Sequence, residues 1–244
     1  MTDPLAPLLV LPGVEDAVRA ARDAVDAVHR HPANRRGWPA TAAEASVRAA
    51  RASAALDGGS AAIPSEGSVS DPVLAGALRI AESIGPLLPV WQRAPLQALA
   101  RLHVLAAADL APDEALGRPR SARGVSGRLD LLARLVAGGT SVPGPVLVAV
   151  VHGELLTLAP FERANGVVAR AAARITAIGT GLDPKGLTIP EVFHLRHPER
   201  YQSAAAGFGA GDREAVAAWL LLCCESFEAG AREATSIADA ALTP

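Results

Sequence analysis

Apolar residues and alanines recur along the chain at spacings of three and four residues, whereas the alternating pattern of a half-buried strand is almost absent. The first clear example is an amphipathic segment from Val14 to His29, with Val14, Val18, Val25 and Val28 near one side of a helix. Because this period continues through the chain and no internal repeat is found, we expect an all-α fold. Further helices are predicted from Thr41 to the Gly58-Gly59 pair, after Asp71, from Pro95 to Asp109, from Leu129 to Val136, from Pro145 to Leu158, from Gly166 to Ile178, beside Pro190 and Pro198, and from Asp212 to about Leu242.

Capping residues and helix breakers set the expected boundaries. Thr41 and Glu44 have the spacing of a capping box, in which each residue satisfies a free backbone amide of the other. A helix is therefore expected to open there, after a loop at residues 34–39. Pro86 and Pro89 are expected to end the helix that begins after Asp71, because proline lacks a backbone donor and its ring clashes with the preceding turn.

Two glycine-rich stretches interrupt the helical period and divide the chain. Residues 58–70 predict a flexible loop, and the basic residues 117–128 predict a loop or a short hairpin. We expect an N-terminal helical extension at residues 1–39, a helix and loop at residues 40–70, and a helical core at residues 71–244.

Composition narrows the class of protein without naming a reaction. Half of the residues are hydrophobic, only 3% are aromatic, and the net charge is −2, so neither a cationic surface for nucleic acid nor a base-stacking platform is expected. The two cysteines, Cys223 and Cys224, are adjacent and cannot join distant segments. No basic apolar leader opens the chain, and every long apolar run is interrupted. These features predict a soluble cytoplasmic protein with no membrane partner.

One pair of histidines has a spacing that would suit a metal ion. His194 and His197 are three residues apart with glutamates nearby, but prolines at 190 and 198 bracket the segment. Solvated surface residues are the favoured interpretation, and no metal site is predicted.

The segment from Ala159 to Arg170 combines features of an anion site. An apolar helix ends near Pro160, and Asn165-Gly166 opens a new helix whose first amides point outward at the positive end of its dipole. Gly166 lets an oxyanion approach the main chain, and Arg170 can place its guanidinium on the same group. A helix–turn–helix with an ordinary surface arginine explains the same spacing, and spacing alone favours that alternative.

This segment, APFERANGVVAR, resembles the signature HxFx(D/E)GNGRxxR of the Fic/Doc (Fido) family. These are all-α proteins, most of which transfer AMP from ATP to a protein hydroxyl. Phe161, Asn165, Gly166 and Arg170 match the signature. The resemblance implies that Asn165, Gly166 and Arg170 form the pocket for nucleotide phosphates and that Phe161 belongs to the same cofactor site.

Other parts of the chain are similar to the same family in the expected order. His152 precedes the signature, Tyr201 and Trp219 follow it on later helices, and residues 117–125 look like the flap that lies along the target peptide. The resemblance covers roughly residues 40–230. It implies a Fido-type helical bundle with an N-terminal helical extension and a short flap or hairpin.

The departures from the signature imply impaired chemistry. Ala159 stands where the family has the histidine that takes the target hydroxyl's proton, a role that contributes about 10²- to 10⁴-fold. Arg163 replaces the carboxylate that holds Mg²⁺, so magnesium is not expected there, although Arg163 could itself neutralise phosphate charge. Ala164 and Val167 replace a glycine and an arginine, which leaves Arg170 as the only matched phosphate-binding arginine.

The segment from Ser53 to Gly58 resembles the family's inhibitory motif, (S/T)xxxE(G/N), with Asp57 in place of glutamate. In the family, the glutamate pairs with the last signature arginine and blocks productive nucleotide binding. The resemblance therefore implies a contact between Asp57 and Arg170, which requires close helix packing because aspartate is shorter. The alternative is that Asp57 merely ends its helix before two glycines.

Three functional hypotheses result. The favoured one is a degenerate Fido protein that keeps a partial pocket for ATP or another nucleotide and acts by binding or regulation. The second is an active nucleotidyltransferase with altered chemistry, and the third is a non-catalytic helical interaction module. A protein target or regulatory partner would suit each hypothesis. Alanine-rich helix faces would permit a homodimer but equally suit the interior. The pocket residues are Phe161, Arg163, Asn165, Gly166 and Arg170.

The state of that pocket decides between these hypotheses. An open, electropositive cleft around Asn165, Gly166 and Arg170 would support ligand binding. Backbone amides filled by neighbouring side chains would contradict it.

Overall fold

The computed structural model describes residues 3–242, and within that range the chain is helical and contains no strand, which confirms the all-α prediction. Residues 1–2 and 243–244, at the outer ends of the predicted extension and core, lie outside the described residues. Short 3₁₀ turns at Ala6–Leu8 and Asp113–Ala115 and a π turn at Leu135–Gly139 accompany the α-helices. The α-helices are α1 (Val14–Arg30), α2 (Pro32–Arg36), α3 (Trp38–Leu56), α4 (Pro72–Arg93), α5 (Pro95–Ala107), α6 (Val125–Arg134), α7 (Gly144–Leu158), α8 (Asn165–Gly179), α9 (Pro190–Arg196), α10 (Pro198–Ala210) and α11 (Arg213–Ala240).

Helix boundaries marked by capping residues are found where the sequence predicts them. Asp71 accepts the backbone N–H of Leu74 (2.8 Å) at the start of α4, and Asp212 accepts two amides at the start of α11. After α3 ends at Leu56, Gly58 adopts a φ of +82°, a left-handed conformation that glycine tolerates without strain.

The capping-box prediction at Thr41 is wrong, because α3 begins earlier, at Trp38, and the expected loop at residues 34–39 is mostly helical. Thr41 lies inside α3, where its hydroxyl donates to Asn34 Oδ1 (2.7 Å), and Glu44 pairs with an arginine one turn later. Prolines occupy the first turns of both α2 and α3. Proline is well tolerated there, so these residues begin helices where the pattern predicted a loop.

The predicted end of α4 is also wrong, because the helix continues through Pro86 and Pro89 to Arg93. Both prolines are exposed, whereas the buried residues Ile84 and Leu87 belong to the same core on the opposite face. The apolar face of α4 therefore packs without interruption, and this packing outweighs the hydrogen bonds that the two prolines remove.

Helices α7 and α8 form the centre of the molecule, between two cores. α7 carries apolar residues on every side, as is typical of a helix that is buried over most of its surface. Leu147 and Val150 belong to a core with α4, α5, α6 and α8, whereas Val146 and Ala149 belong to a core with α1, α10 and α11. Trp219 of α11 donates its indole N–H to the carbonyl of Ala149 (2.8 Å). The loop between α7 and α8 is thus supported from both sides.

The N-terminal helices pack against this core. α1 lies along α11, and α3 contacts α4, α8 and α9, which brings the end of α3 to the start of α8. The division at residues 39 and 70 stays a prediction. Residues 117–124, called the flap below, form a loop without strands, so the hairpin alternative is not observed there.

Helix α4 is long and apolar enough to cross a membrane by length and composition. A single helix of this kind is weak support for a span, because the core helix of a soluble protein passes the same test. The fold resembles that of a soluble protein, and the cytoplasmic location stays a prediction.

Candidate functional site

A strained loop joins α7 to α8 and contains the signature-like residues. Ala159 follows α7 with a φ of +44°, and Ala164 precedes α8 with a φ of +57°. Across residues 3–242 no other non-glycine residue has a positive φ, and this conformation costs an L-residue about 1–2 kcal/mol. Strain of this kind persists where surrounding structure determines the backbone, so the loop conformation is fixed by its neighbours.

Asn165 shapes this loop from within. Its Oδ1 accepts the backbone N–H of Phe161 (2.9 Å), and its Nδ2 donates to the carbonyl of Phe161 (2.8 Å). Both ends of the amide are engaged inside the turn. The side chain therefore holds the turn closed instead of reaching into the cleft, and a contact of Asn165 with a ligand stays a prediction.

Phe161 lies in the interior of the protein. It was expected to line a nucleotide pocket. Its ring stacks on the buried His103 with centroids 3.9 Å apart and planes 5° apart. His103 Nδ1 accepts the backbone N–H of Gly117 (2.9 Å), so its other nitrogen carries the proton. Burial lowers the pKa of His103, which keeps the ring neutral. One imidazole from α5 thus joins the flap to the signature-like loop.

The start of α8 is occupied by the carboxylate of Asp57. Oδ2 accepts the backbone N–H of Val167 (3.0 Å), and Oδ1 accepts a guanidinium N–H of Arg170 (2.7 Å). A Cβ at Gly166 would lie 2.3 Å from Asp57 Oδ1, so only glycine leaves room for the carboxylate. The contact expected between Asp57 and Arg170 is present. The Val167 amide, which was expected to point outward to a ligand, is therefore bound by the protein's own carboxylate.

Arg170 is buried, with only 3% of its side chain exposed, and most of its partners come from α3 and the residue that follows it. Nε donates to Ser53 Oγ (2.8 Å), and Nη2 donates to the Ser53 carbonyl (2.9 Å) as well as to Asp57. Nη1 lies 3.5 Å from the Tyr201 hydroxyl. Ser53 and Asp57, which the sequence grouped into one motif, therefore converge on one guanidinium. The surface-arginine interpretation is wrong.

Neutral rings surround the inner side of this guanidinium. The Tyr201 hydroxyl lies 2.7 Å from His152 Nε2, and it donates its proton there if it accepts from Arg170. Burial, and then the charge of Arg170, lower the pKa of His152 to about 3. Burial raises the pKa of Tyr201 to about 12. Both groups are therefore neutral near pH 7, and Arg170 carries the charge of this cluster.

His194 is buried beside these rings, which corrects its prediction as a surface residue. Its ring stacks on Tyr201 with centroids 4.3 Å apart, and burial lowers its pKa well below the usual value. His197, as predicted, is exposed. Within the described part of the chain, no group of three or more His, Cys, Asp or Glu side chains is arranged to hold a metal ion.

A cleft of about 530 Å³ opens beside the Asp57–Arg170 pair, a volume in the range of small-molecule sites. Asn165 and Gly166 do not line it, so the open cleft expected around these residues is found only at Arg170. The lining residues are Leu56, Asp57, Arg128, Leu156, Thr157, Arg170, Tyr201, Gln202, Ala205, Ala206 and Gly209.

The flap closes against the α7 end of the loop through Arg120. Its backbone N–H donates to the carbonyl of Pro160 (2.8 Å). Its side chain donates to the carbonyls of Ala159 (2.7 Å) and Leu158 (2.8 Å). Ala159 thus binds the flap through its backbone carbonyl. The side chain of Arg163 is exposed. Sequence reasoning identified the flap but missed this contact, because no local signal marks which arginine reaches the loop.

Sequence reasoning also missed Arg128 on the wall of the cleft. Nε and Nη2 donate to the two carboxylate oxygens of Glu154 on α7 at 2.6 and 2.7 Å. A signal for Glu154 was present, since it is a charge within the most apolar run of the chain. Arg128 stands in a stretch rich in arginine, where no single residue is distinguished.

Comparisons with known proteins bear on the fold. No protein-family model matches the chain, and no match is found among curated proteins. Among solved structures, a Fic family protein from Desulfovibrio desulfuricans G20 matches with a TM-score of 0.74 at 18% identity, covering 93% of this chain and 75% of that one. Fic-1 from C. elegans matches with a TM-score of 0.69 at 14% identity, covering 91% and 72%. The chain therefore has the helical Fic (Fido) fold, as the signature-like segment predicted.

Proposed function

We propose that this Fic-fold protein binds nucleotide phosphates at the start of α8, that Asp57 competes with this ligand, and that AMP transfer by the family mechanism has been lost. The observation that carries the proposal is the Asp57 carboxylate, which accepts a helix-start amide at 3.0 Å and an arginine N–H at 2.7 Å. Phosphate oxygens require the same donors, and a helix start favours negative charge. The binding of the protein's own carboxylate at the start of α8 supports the proposal that other anions bind there.

Because Asp57 already binds the Val167 amide, the pocket at the start of α8 is closed. The proposal therefore requires that Asp57 leaves when a ligand binds. Asp57 is 25% exposed and lines the cleft, whereas Arg170 is 3% exposed and held by Ser53. The carboxylate can therefore move toward solvent while the guanidinium stays. Removing one partner of a buried pair leaves an uncompensated charge, so Arg170 needs another anion in place of Asp57.

The loss of transfer chemistry is argued from two side chains. Ala159 has no proton acceptor, and its backbone carbonyl is engaged by Arg120. Arg163 cannot ligate a cation, so the residues present do not fit Mg²⁺ at the family position. Arg163 is exposed and fits a phosphate oxygen better than a metal ion.

Calorimetric titration with ATP and ADP, without added magnesium, tests ligand binding. Asp57→Ala is expected to bind at least about tenfold more tightly than the unmodified protein, because the internal competitor is gone. Asp23→Ala, at an exposed carboxylate on α1, is the matched control and should leave affinity unchanged. A folded Asp57→Ala protein that binds neither nucleotide would contradict the proposal.

Mass spectrometry tests the loss of transfer separately. The unmodified protein, incubated with ATP, magnesium and a cell lysate, is expected to add no AMP to itself or to other proteins. The triple variant Asp57→Ala, Ala159→His, Arg163→Asp restores the base and the metal ligand and is expected to add it. AMP added by the unmodified protein would instead support an active transferase with altered chemistry.

A second candidate function is a helical interaction module in which the site is permanently closed. The observation in its favour is that Ser53 of α3 and Asp57, just after α3, accept three hydrogen bonds from one buried guanidinium, as a structural clamp would. In that case Asp57→Ala lowers the unfolding temperature and gains no nucleotide affinity.

A further inference from the structure

Two arginines line the cleft beside the start of α8, and each is bound to a carboxylate. Arg170 at the inner end is paired with Asp57, and Arg128 on the wall is paired with Glu154. The two pairs differ in burial, since 46% of the Arg128 side chain is exposed against 3% of Arg170. The cleft therefore contains one fixed guanidinium and one that solvent reaches.

Arg170 alone offers few donors to a ligand. A guanidinium has five N–H groups, and four of those of Arg170 already donate to Ser53 Oγ, the Ser53 carbonyl, Tyr201 and Asp57. Departure of Asp57 frees one of these donors, together with the amide of Val167. That set suits the oxygens of one phosphate group, and a chain of two or three phosphates needs a further cation.

The side chain at position 167 cannot supply that cation, because it is a buried valine. Arg128 can, since it stands on α6, lines the same cleft and presents a planar fork that binds carboxylate and phosphate alike. Its bidentate bond with Glu154 shows that it already holds two oxygens in that geometry. Exposed pairs of this type contribute little to stability, so an exchange of partner is readily reversible.

We propose that Arg128 is a second phosphate-binding side chain, which leaves Glu154 to bind the outer phosphate of a nucleoside di- or triphosphate whose inner phosphate lies at the start of α8. This assignment rests on the proposed function and deepens it, because it names a polyphosphate as the ligand class. Glu154 then acts as a competing anion for the outer phosphate, as Asp57 does for the inner one.

The test uses the full chain in the Asp57→Ala background, where the inner site is free. ATP binding is measured by calorimetry for this protein and with Arg128→Ala, Glu154→Gln or Arg101→Ala added. Arg101 is exposed on α5 and outside the cleft, so it matches the charge change of Arg128→Ala without touching the site. Circular dichroism confirms folding, and Asp57→Asn replaces Asp57→Ala if the latter does not fold.

Arg128→Ala is expected to weaken ATP binding by about tenfold and AMP binding by much less, because AMP has no second phosphate. Glu154→Gln is expected to strengthen ATP binding by a few fold, and Arg101→Ala to change neither ligand. Equal affinities for the Arg128→Ala and Arg101→Ala proteins would overturn the role of Arg128 while leaving the inner site intact. No ATP binding in any background would overturn the proposed function, and the role of Arg128 with it.

Discussion

The two ends of the loop between α7 and α8 differ in how their side chains are bound and in which chemical groups they present. At the α8 end, Arg170 is buried and bonded to Ser53 and Asp57. At the α7 end, Ala159 and Arg163 provide neither a proton acceptor nor a metal ligand, and Arg163 is exposed.

The comparison shows that the residues matching the signature are those that the fold itself uses. Phe161 stacks in the core, Asn165 holds the turn, Gly166 leaves room for Asp57, and Arg170 is enclosed by α3. At the two departures from the signature, Ala159 engages the flap through its backbone carbonyl, and the side chain of Arg163 is exposed. A match to a catalytic signature at positions that the fold itself uses therefore reports the scaffold of a site, and its chemistry must be judged at the remaining positions.

The largest expected effect comes from Arg170. Arg170→Met should destabilise the protein by about 3–5 kcal/mol, because it leaves the Ser53 carbonyl and the Asp57 carboxylate without their partner. Arg163→Met is the matched control in the same segment and should stay within about 0.5 kcal/mol. Urea unfolding followed by tryptophan fluorescence measures both. Equal losses for the two variants would show that the α8 end is no more structural than the exposed loop.

Gly166 should have the next largest effect. Gly166→Ala places a Cβ 2.3 Å from Asp57 Oδ1, so either α3 or the carboxylate must move, at about 1–3 kcal/mol. Gly85→Ala is the control, because no atom lies within 4 Å of its Cβ, and it should be stabilising by up to about 1 kcal/mol. Adding Asp57→Ala to Gly166→Ala should recover part of the loss in urea unfolding. A harmless Gly166→Ala would mean that Asp57 does not occupy the helix start in solution.

The strained loop predicts a gain of stability. Ala164→Gly should stabilise the protein by about 1 kcal/mol, because glycine adopts the φ of +57° without steric penalty. Ala20→Gly, on the exposed side of α1, should instead cost about 1 kcal/mol. Thermal unfolding of the two variants compares them directly. A loss for Ala164→Gly similar to that for Ala20→Gly would argue against strain at the loop.

The smallest expected effect concerns pH and the flap. Burial lowers the pKa of His103 below its unfolded value of about 6.5, so its contribution to stability is full above that pH and is lost as the pH falls. Protonation would also remove the acceptor for the Gly117 amide. On acidification from about pH 7.5 to about pH 5, the unfolding temperature of His103→Gln should therefore fall less than that of the unmodified protein. The protection of the Gly117 amide, meaning its exchange rate relative to that of an unprotected amide at the same pH, should decrease with acid only in the unmodified protein. A protection that does not change with pH would contradict the link.

Local sequence signals were enough to predict much of the fold. The starts of α4 and α11 and the end of α3 were predicted because Asp71, Asp212 and Gly58 act on their immediate neighbours. The path of α4 through Pro86 and Pro89 was not, since it depends on packing against other helices.

The candidate site follows the same division. The resemblance of Ser53 to Gly58 to the inhibitory motif implied the pairing of Asp57 with Arg170. In the structure, Arg170 Nη2 lies 2.7 Å from Asp57 Oδ1. The burial of Phe161, the inward amide of Asn165 and the contacts of His103 and Arg120 join segments distant in sequence, and letters in a motif do not state where a side chain points.

A structure of the Asp57→Ala protein with ATP would show which group occupies the start of α8 when Asp57 is absent. We expect a phosphate oxygen in the place of the Asp57 carboxylate, within hydrogen-bonding distance of the Val167 amide and the Arg170 guanidinium. Nucleotide bound elsewhere, or a start of α8 that collapses or refills with another side chain while nucleotide is in excess, would contradict it.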